Sequence, residues 1–424
     1  MHLKRAGVAW VLISLLWLAL AAGSAQAAIQ VDSFTAGMLD VNGDPETRAG
    51  AHPFIVENTI TIPAVNPGPP PSIEFEFLKT VVVDMPVGFV GDPSELPRCT
   101  IAGVTAGSCP RDTRIGTFTL TSLASGGPSP VYNVAPPAGQ PALFAAQVAG
   151  MGIVYFHSSI RPEDHGIRVT VRDNAFTSLT AVLGTKLELW GVPADPAHDA
   201  ERGGPAGVPR VPFLTMPTGC ATVPVTRMRI NSWQDPGSWT EREFVSPSLT
   251  GCELLDFEPK VTVEPGISEA SAPSGYSVEV AVRSEDAADS LAPAHLKDAV
   301  VKLPAGVTVN PAAAGGLTGC TEAEMGMGKA GAPACPASSK IGEVRIETPT
   351  LDEPLVGPIY QAAQGANPFG SLLALYMAPV SERYGVRIKL AGEVKADPAT
   401  GQLTTSFLDN PQLPFTKLTM SLKG

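Results

Sequence analysis

The chain has 424 residues, 44% hydrophobic and 17% charged, so it is long enough to bury two or three cores and too apolar to stay disordered. Its 29 lysines and arginines stand against 41 acids, a balance that repels phosphate backbones, and no nucleic-acid partner is expected. Gly and Pro number 42 each, below the range of low-complexity chains, and they punctuate short strands instead.

At the start, His2, Lys4 and Arg5 precede an apolar run over 8–22, and Ala25-Gln26-Ala27 offers small residues for a signal peptidase. Residues 1–27 therefore read as a signal peptide removed before Ala28. Cleavage would leave 27 basic against 41 acidic residues, a net charge of −14. No later stretch reaches the ~20 unbroken apolar residues of a bilayer-spanning helix, so the expectation is a secreted or cell-surface chain with no transmembrane span. Six cysteines, an even number in an exported chain, read as three disulfides.

A first β unit is expected over 28–191. Asp40-Val41-Asn42-Gly43-Asp44 begins like a calcium loop, but Pro45 stands where glycine is wanted and Ala51 where a bidentate Glu is wanted, leaving a polar turn. The proline-rich stretch 63–71 interrupts any strand. Ile73-Glu74-Phe75-Glu76-Phe77 then alternates strictly and predicts a half-buried strand, and the β-branched run Val81-Val82-Val83 predicts its continuation to Pro86 and Gly88. Thr117-Phe118-Thr119-Leu120-Thr121 alternates again, as does Ile167-Arg168-Val169-Thr170-Val171-Arg172.

The stretch Leu78-Lys79-Thr80-Val81-Val82-Val83-Asp84-Met85-Pro86-Val87-Gly88 is written again as Leu296-Lys297-Asp298-Ala299-Val300-Val301-Lys302-Leu303-Pro304-Ala305-Gly306. Each copy is followed by a Cys, a Cys-Pro and an Ile-Gly: Cys99, Cys109-Pro110 and Ile115-Gly116, then Cys320, Cys335-Pro336 and Ile341-Gly342. A second β unit is therefore expected over 259–424, with Val386-Arg387-Ile388-Lys389-Leu390 as the counterpart of the 167–172 strand. Between the units, 192–258 reads as a linker and a small β insert, in which Asp235-Pro236-Gly237 reverses the chain between Trp233 and Trp239. Helix is confined to a turn or two at 321–325. The fold class is all-β: tandem sandwich-like repeat units with a small β insert between them.

No catalytic constellation emerges. Gly-x-Ser-x-Gly is absent, Ser338-Ser339-Lys340 has the wrong spacing for a Ser-x-x-Lys nucleophile, and no phosphate-cradling glycine loop occurs. Glu74 and Glu76 point in parallel from one strand face and so cannot flank a glycosidic bond. The clusters Asp195, His198, Asp199, Glu201 and His157, Glu163, Asp164, His165 lack zinc spacing and read as solvated loop charges. No cofactor and no metal are expected, and no enzymatic activity. Trp190, Trp233 and Trp239 offer a ligand platform for sugar stacking, against the commoner use of such residues to fill a core or seam.

The Met-Pro-x-Gly and Leu-Pro-x-Gly runs, the Cys-Pro and Ile-Gly pairs, Trp190-Gly191-Val192-Pro193-Ala194-Asp195-Pro196, Asn367-Pro368-Phe369-Gly370 and Asp409-Asn410-Pro411-Gln412-Leu413-Pro414-Phe415 resemble large exported β-rich repeat proteins of soil actinobacteria. That resemblance covers most of the mature chain and implies no activity and no catalytic residue. The expected function is a non-enzymatic cell-surface or extracellular structural or adhesion protein, with cell-envelope glycans or other surface proteins as partners; the alternative is a carbohydrate-binding module or polysaccharide-acting enzyme. For the disulfides, Cys99 with Cys109 and Cys320 with Cys335 occupy equivalent places in the two units, which leaves Cys220 with Cys252 around the Trp233–Trp239 reversal.

Overall fold

Apolar residues that alternate over short runs form strands with one greasy face, and the chain hides those faces by curling its sheets. The computed structural model describes residues 28–63, 75–122, 127–172, 174–283, 286–308 and 318–423. The signal peptide expected over 1–27, most of the proline-rich stretch, and Ile73 and Glu74 lie outside the described residues. No helix among the described residues is long and apolar enough to cross a membrane.

The first sheet draws on strands β1 (Ser33–Leu39), β2 (Ile55–Thr61), β3 (Leu78–Asp84), β5 (Arg114–Ser122), β6 (Pro128–Val134), β7 (Ala142–Val148), β8 (Gly152–Ile160), β9 (Ile167–Val171), β10 (Val182–Trp190), β12 (Val225–Ser232) and β13 (Thr240–Val245); β4 (Val90–Gly91) and β11 (Leu214–Thr215) pair separately as a ribbon. The second sheet holds β14 (Lys260–Pro265), β15 (Tyr276–Ala281), β16 (Ala299–Lys302), β17 (Lys340–Glu347), β18 (Leu355–Gln361), β19 (Leu373–Met377), β22 (Leu390–Ala396), β23 (Leu403–Phe407) and β24 (Lys417–Leu422), with β20 (Val380–Ser381) and β21 (Val386–Arg387) attached to β18. The pairings in both are antiparallel.

The first sheet runs β1-β2-β10-β5-β6-β7-β8-β9-β3-β12-β13, and the second β14-β15-β24-β17-β18-β19-β22-β23-β16. Strand for strand, the second order retraces the first nine. The likeness extends to detail: Cys99 bridges to Val134 and Cys320 to Ala362, each in parallel, and Thr100 and Thr321 cap the short helices Ile101–Ala106 and Glu322–Met325. Register slips in both sheets beside the Ile-Gly pairs, at Gly116 and Gly342. A Cβ there would sit 2.0 Å from the Glu188 carbonyl oxygen or 2.3 Å from that of Ser421, so only glycine lets the neighbouring strand approach.

The first sheet nearly closes on itself. β13 lies beside β1, where the Thr240 hydroxyl donates to the Ile29 carbonyl and Arg242 Nη2 donates to the Val31 carbonyl at 3.2 Å. Its outer face is plated at one place: Cys99, Val104 and Val134 pack on Leu143 and Ala145 of β7. The same plate recurs in the second sheet, where Cys320, Met325 and Ala362 pack on Ala374 and Tyr376 of β19.

Three sequence expectations change. Phe75-Glu76-Phe77 carries no strand; the ladder begins at Leu78, and Glu76 instead accepts a hydrogen bond from the Gln30 amide at 3.0 Å. Val386–Arg387 is not the counterpart of β9, because β23 holds that place in the sheet order. A turn at Gly385, with φ of 63°, pulls Val386 and Ile388 into a cluster with Leu355 and Tyr384, and alternation alone does not say which neighbour a strand will find. The segment 192–258 does not stand apart either: β12 pairs along β3, from Arg227 opposite Asp84 to Ser232 opposite Leu78, and so extends the first sheet.

The two sheets meet along a seam. Gly139 N donates to the Arg383 carbonyl at 2.7 Å, Ala292 N to the Gly50 carbonyl at 2.8 Å, and Ser94 Oγ to the Pro349 carbonyl at 3.1 Å. His52 Nε2 lies 2.9 Å from Asp286 Oδ1.

Bridges join Cys99 to Cys109, Cys220 to Cys252 and Cys320 to Cys335, with sequence separations of 10, 32 and 15. Loop-closure entropy gives about 2.7 kcal/mol for the 10-residue separation and about 3.7 kcal/mol for the 32-residue one. Paired Cys→Ala replacements measured by urea unfolding should therefore cost most at Cys220 and Cys252; equal losses at all three bridges would refute the ranking.

Candidate functional site

The motif Trp190-Gly191-Val192-Pro193-Ala194-Asp195-Pro196 builds a buried stack. Trp190, fully enclosed at the end of β10, lies parallel to the His198 ring at 4.7 Å, and Phe54 stacks on the same imidazole at 4.3 Å. Arg202, also fully enclosed, sits 6.0 Å over the Trp190 ring, and its Nη2 donates to the Asp195 carbonyl and to Asp199 Oδ1 at 2.8 and 2.9 Å. Asp195 caps the Ala197 amide and accepts from Arg210.

These contacts account for most of the charged cluster at 195–201. Its buried member, His198, is neutral because burial pushes its pKa down to about 4. In the other cluster, Asp164 pairs with Arg161, Glu163 with Arg168, and His157 bonds Gln140. Among the described residues no three His, Cys, Asp or Glu side chains gather where a metal would need them.

A stacking platform needs ring faces open to solvent, and Trp190 offers none, so it belongs to the core. Trp233 donates its Nε1 proton to Thr177 Oγ1 at 3.2 Å, with Lys79 Nζ 5.0 Å over its ring. Trp239 is 40% exposed and lies under Arg229.

A concavity lies where the inward faces of the two sheets come together. The inward faces leave a hollow of ≈ 260 Å³, walled by side chains such as Val56, Phe118, Phe144 and Val169 of the first sheet and Ile346 and Leu418 of the second. Strand parity puts these residues inside, and it survives each bulge: Val182 and Thr185 of β10 both face the hollow because the register slips between Val182 and Gly184. Among the polar side chains in this largely apolar wall, Asn58 has a buried Oδ1 with no hydrogen-bond partner among the described residues.

The hollow is partly open, and its largely apolar lining favours an apolar guest over water.

Beside it at the seam lies a second hollow of ≈ 330 Å³, sharing Val90, Leu296, Thr350, Leu413, Pro414 and Phe415 with the first. Its wall is mixed, with Asp92, Glu95, Arg283, Asp286 and His295 contributing beside apolar side chains. Burial pushes the Asp92 carboxyl up to about 6, against hydrogen bonds from the Ser94 amide and hydroxyl that favour the ionised form. Burial likewise pushes His295 down to about 4.

Sequence reasoning named none of these lining residues as a site, because each reads singly as ordinary core or loop. Comparison of the chain with protein-family models, curated proteins and solved structures finds no match.

The shifted groups give opposite pH dependences. His198 and His295 refuse the proton that the unfolded chain takes up near 6.5, so their stabilisation is lost as pH falls from about 6.5 to about 4. Asp92, raised from 3.8 to about 6, contributes stability below 3.8 that is lost as pH rises through 6. Thermal melts should show Asp92→Asn raising Tm at pH 7.5 but not at pH 3.5, and His198→Phe flattening the acid-side loss; the same Tm change at both pH values for Asp92→Asn would remove burial as the cause.

Proposed function

We propose that this is an exported, non-enzymatic protein of the cell surface or extracellular space, in which two duplicated β units clasped by disulfides hold a lipophilic guest. The observation that carries the reading is the largely apolar hollow walled by both sheets, whose lining favours an apolar guest over water. An all-β chain with three disulfides fits an extracellular structural protein, and the resemblance to large exported repeat proteins of soil actinobacteria agrees with that placement. A structural or adhesive role and a binding role are compatible, since the hollow lies within and the acidic exterior stays available to surface partners.

The test uses the mature chain and an apolar dye that fluoresces in a dry environment. The dye should be taken up by the native protein and displaced by aliphatic chains, and Val131→Trp or Val154→Trp, which fill the hollow, should weaken uptake about tenfold, near 1.4 kcal/mol. Mass spectrometry of an organic extract of the secreted protein should find a lipophilic molecule. No uptake by the folded chain together with a lipid-free extract would sink the proposal.

A further inference from the structure

We infer that two copies of the chain dimerise edge to edge through β14, the paired strands running antiparallel across a twofold axis at Thr262. The partner is a second copy of this chain, and the inference is independent of what the hollow holds.

β14 ends the order of the second sheet and pairs only with β15 among the described residues, so its other edge presents backbone donors and acceptors that no strand takes up. All six of its residues are exposed, and so is the whole run from 256 to 271, which leaves the edge accessible. The first sheet shows the same place when covered. There β1 has β13 beside it, and its inward Ala36 and Met38 are 3% and 4% exposed. On β14 the inward side is carried by Val261 and Val263, opposite Val280 and the core residue Val278 of β15, yet they are 57% and 37% exposed.

The strand's own sequence specifies what fits it. Pro259-Lys260-Val261-Thr262-Val263-Glu264-Pro265 is symmetric about Thr262 in its prolines and valines and opposite in its charges. Antiparallel pairing of two copies about Thr262 sets Val261 opposite Val263, Thr262 opposite Thr262, and Lys260 opposite Glu264 at both ends, and opposed residues share a face. The valines then continue the apolar side. The ion pairs fall on the outer side, where Lys417 Nζ already lies 2.9 Å from Glu279 Oε2 between β24 and β15. Within one copy neither Lys260 nor Glu264 has an ion-pair partner among the described residues. Pro259 and Pro265 come opposite one another, and since neither has an N–H to donate, they bound the ladder at Lys260 and Glu264. A slip of two residues either way sets Thr262 opposite a charge and a proline opposite a valine, and breaks both ion pairs. The other free edge has no such symmetry: the four residues of β16 hold one charge, Lys302, and no acid to meet it. A self-complementary strand of this kind makes the isologous contact that closes a twofold dimer.

So short a strand pair is small beside the ~1,200 Å² of a stable complex, and the dimer should form reversibly. Sedimentation of the mature chain should show its mass doubling as concentration rises from about 10 μM to about 500 μM. Lys260→Glu and Glu264→Lys each set like charges opposite one another and should each weaken association about tenfold, and mixing the two variants should restore it. Both positions are exposed, so far-UV circular dichroism should not change. With no free cysteine in the native chain, Thr262→Cys adds a lone thiol that meets its own copy across the axis within disulfide reach. Mild oxidation should then give a covalent dimer, whereas Val300→Cys on β16 should stay monomeric. A chain that is monomeric throughout the range, association indifferent to both charge changes, or crosslinking as ready through Val300→Cys as through Thr262→Cys overturns the inference.

Discussion

A strand with one apolar face obliges its sheet to conceal that face, and the sheets described here do so by bending around it. Stacking two flat sheets brings the inner side chains together until they interdigitate, whereas curling sets a radius that the backbone chooses first and the side chains must then fill. The bulges at Gly116 and Gly342 belong to this choice, because each lets one strand press against its neighbour's carbonyl and tightens the local twist. Phe118, Phe144 and Phe156 are large, yet the curl outruns them, and the hollow is what remains.

The same bending explains why the disulfides sit outside. A curled sheet has a convex surface with little to cover it, and the short capped helices tied by Cys99–Cys109 and Cys320–Cys335 plate that surface where β7 and β19 run. Those two strands are apolar on both faces as a result. Where the first sheet needed a further cover for the edge of β3, the chain supplied β12 and β13.

These arrangements decide what could be read from the residues in advance. Thr117–Thr121 was legible as a strand because one face stays wetter than the other and period two shows through, and Ile167–Val171 was legible because its apolar and polar residue types alternate. Ala142–Val148 was not, since the plate of Cys99 and Val104 buries its second face and erases the alternation. The Asp235-Pro236-Gly237 reversal was legible, but its strands' partner was not, because pairing across β3 and β12 joins residues far apart in the chain. A hollow leaves no mark at all: alternation is identical whether the interior is packed or empty, and only the radius of the curl tells them apart. The Trp190 motif left two uses open, and burial of Trp190 follows the commoner one, since stacking rings serve a core as well as a ligand.

The way the first sheet ends carries a mechanical consequence. Backbone ladders give way in sequence, like a zip, and resist being slid because every residue must change partner together. Between β1 and β13 there is instead a join of side chains, Thr240 on the Ile29 carbonyl and Arg242 on the Val31 carbonyl, and such fasteners let go one at a time. The cylinder is therefore a cuff rather than a ring: its girth can widen at that join while every strand keeps its neighbours.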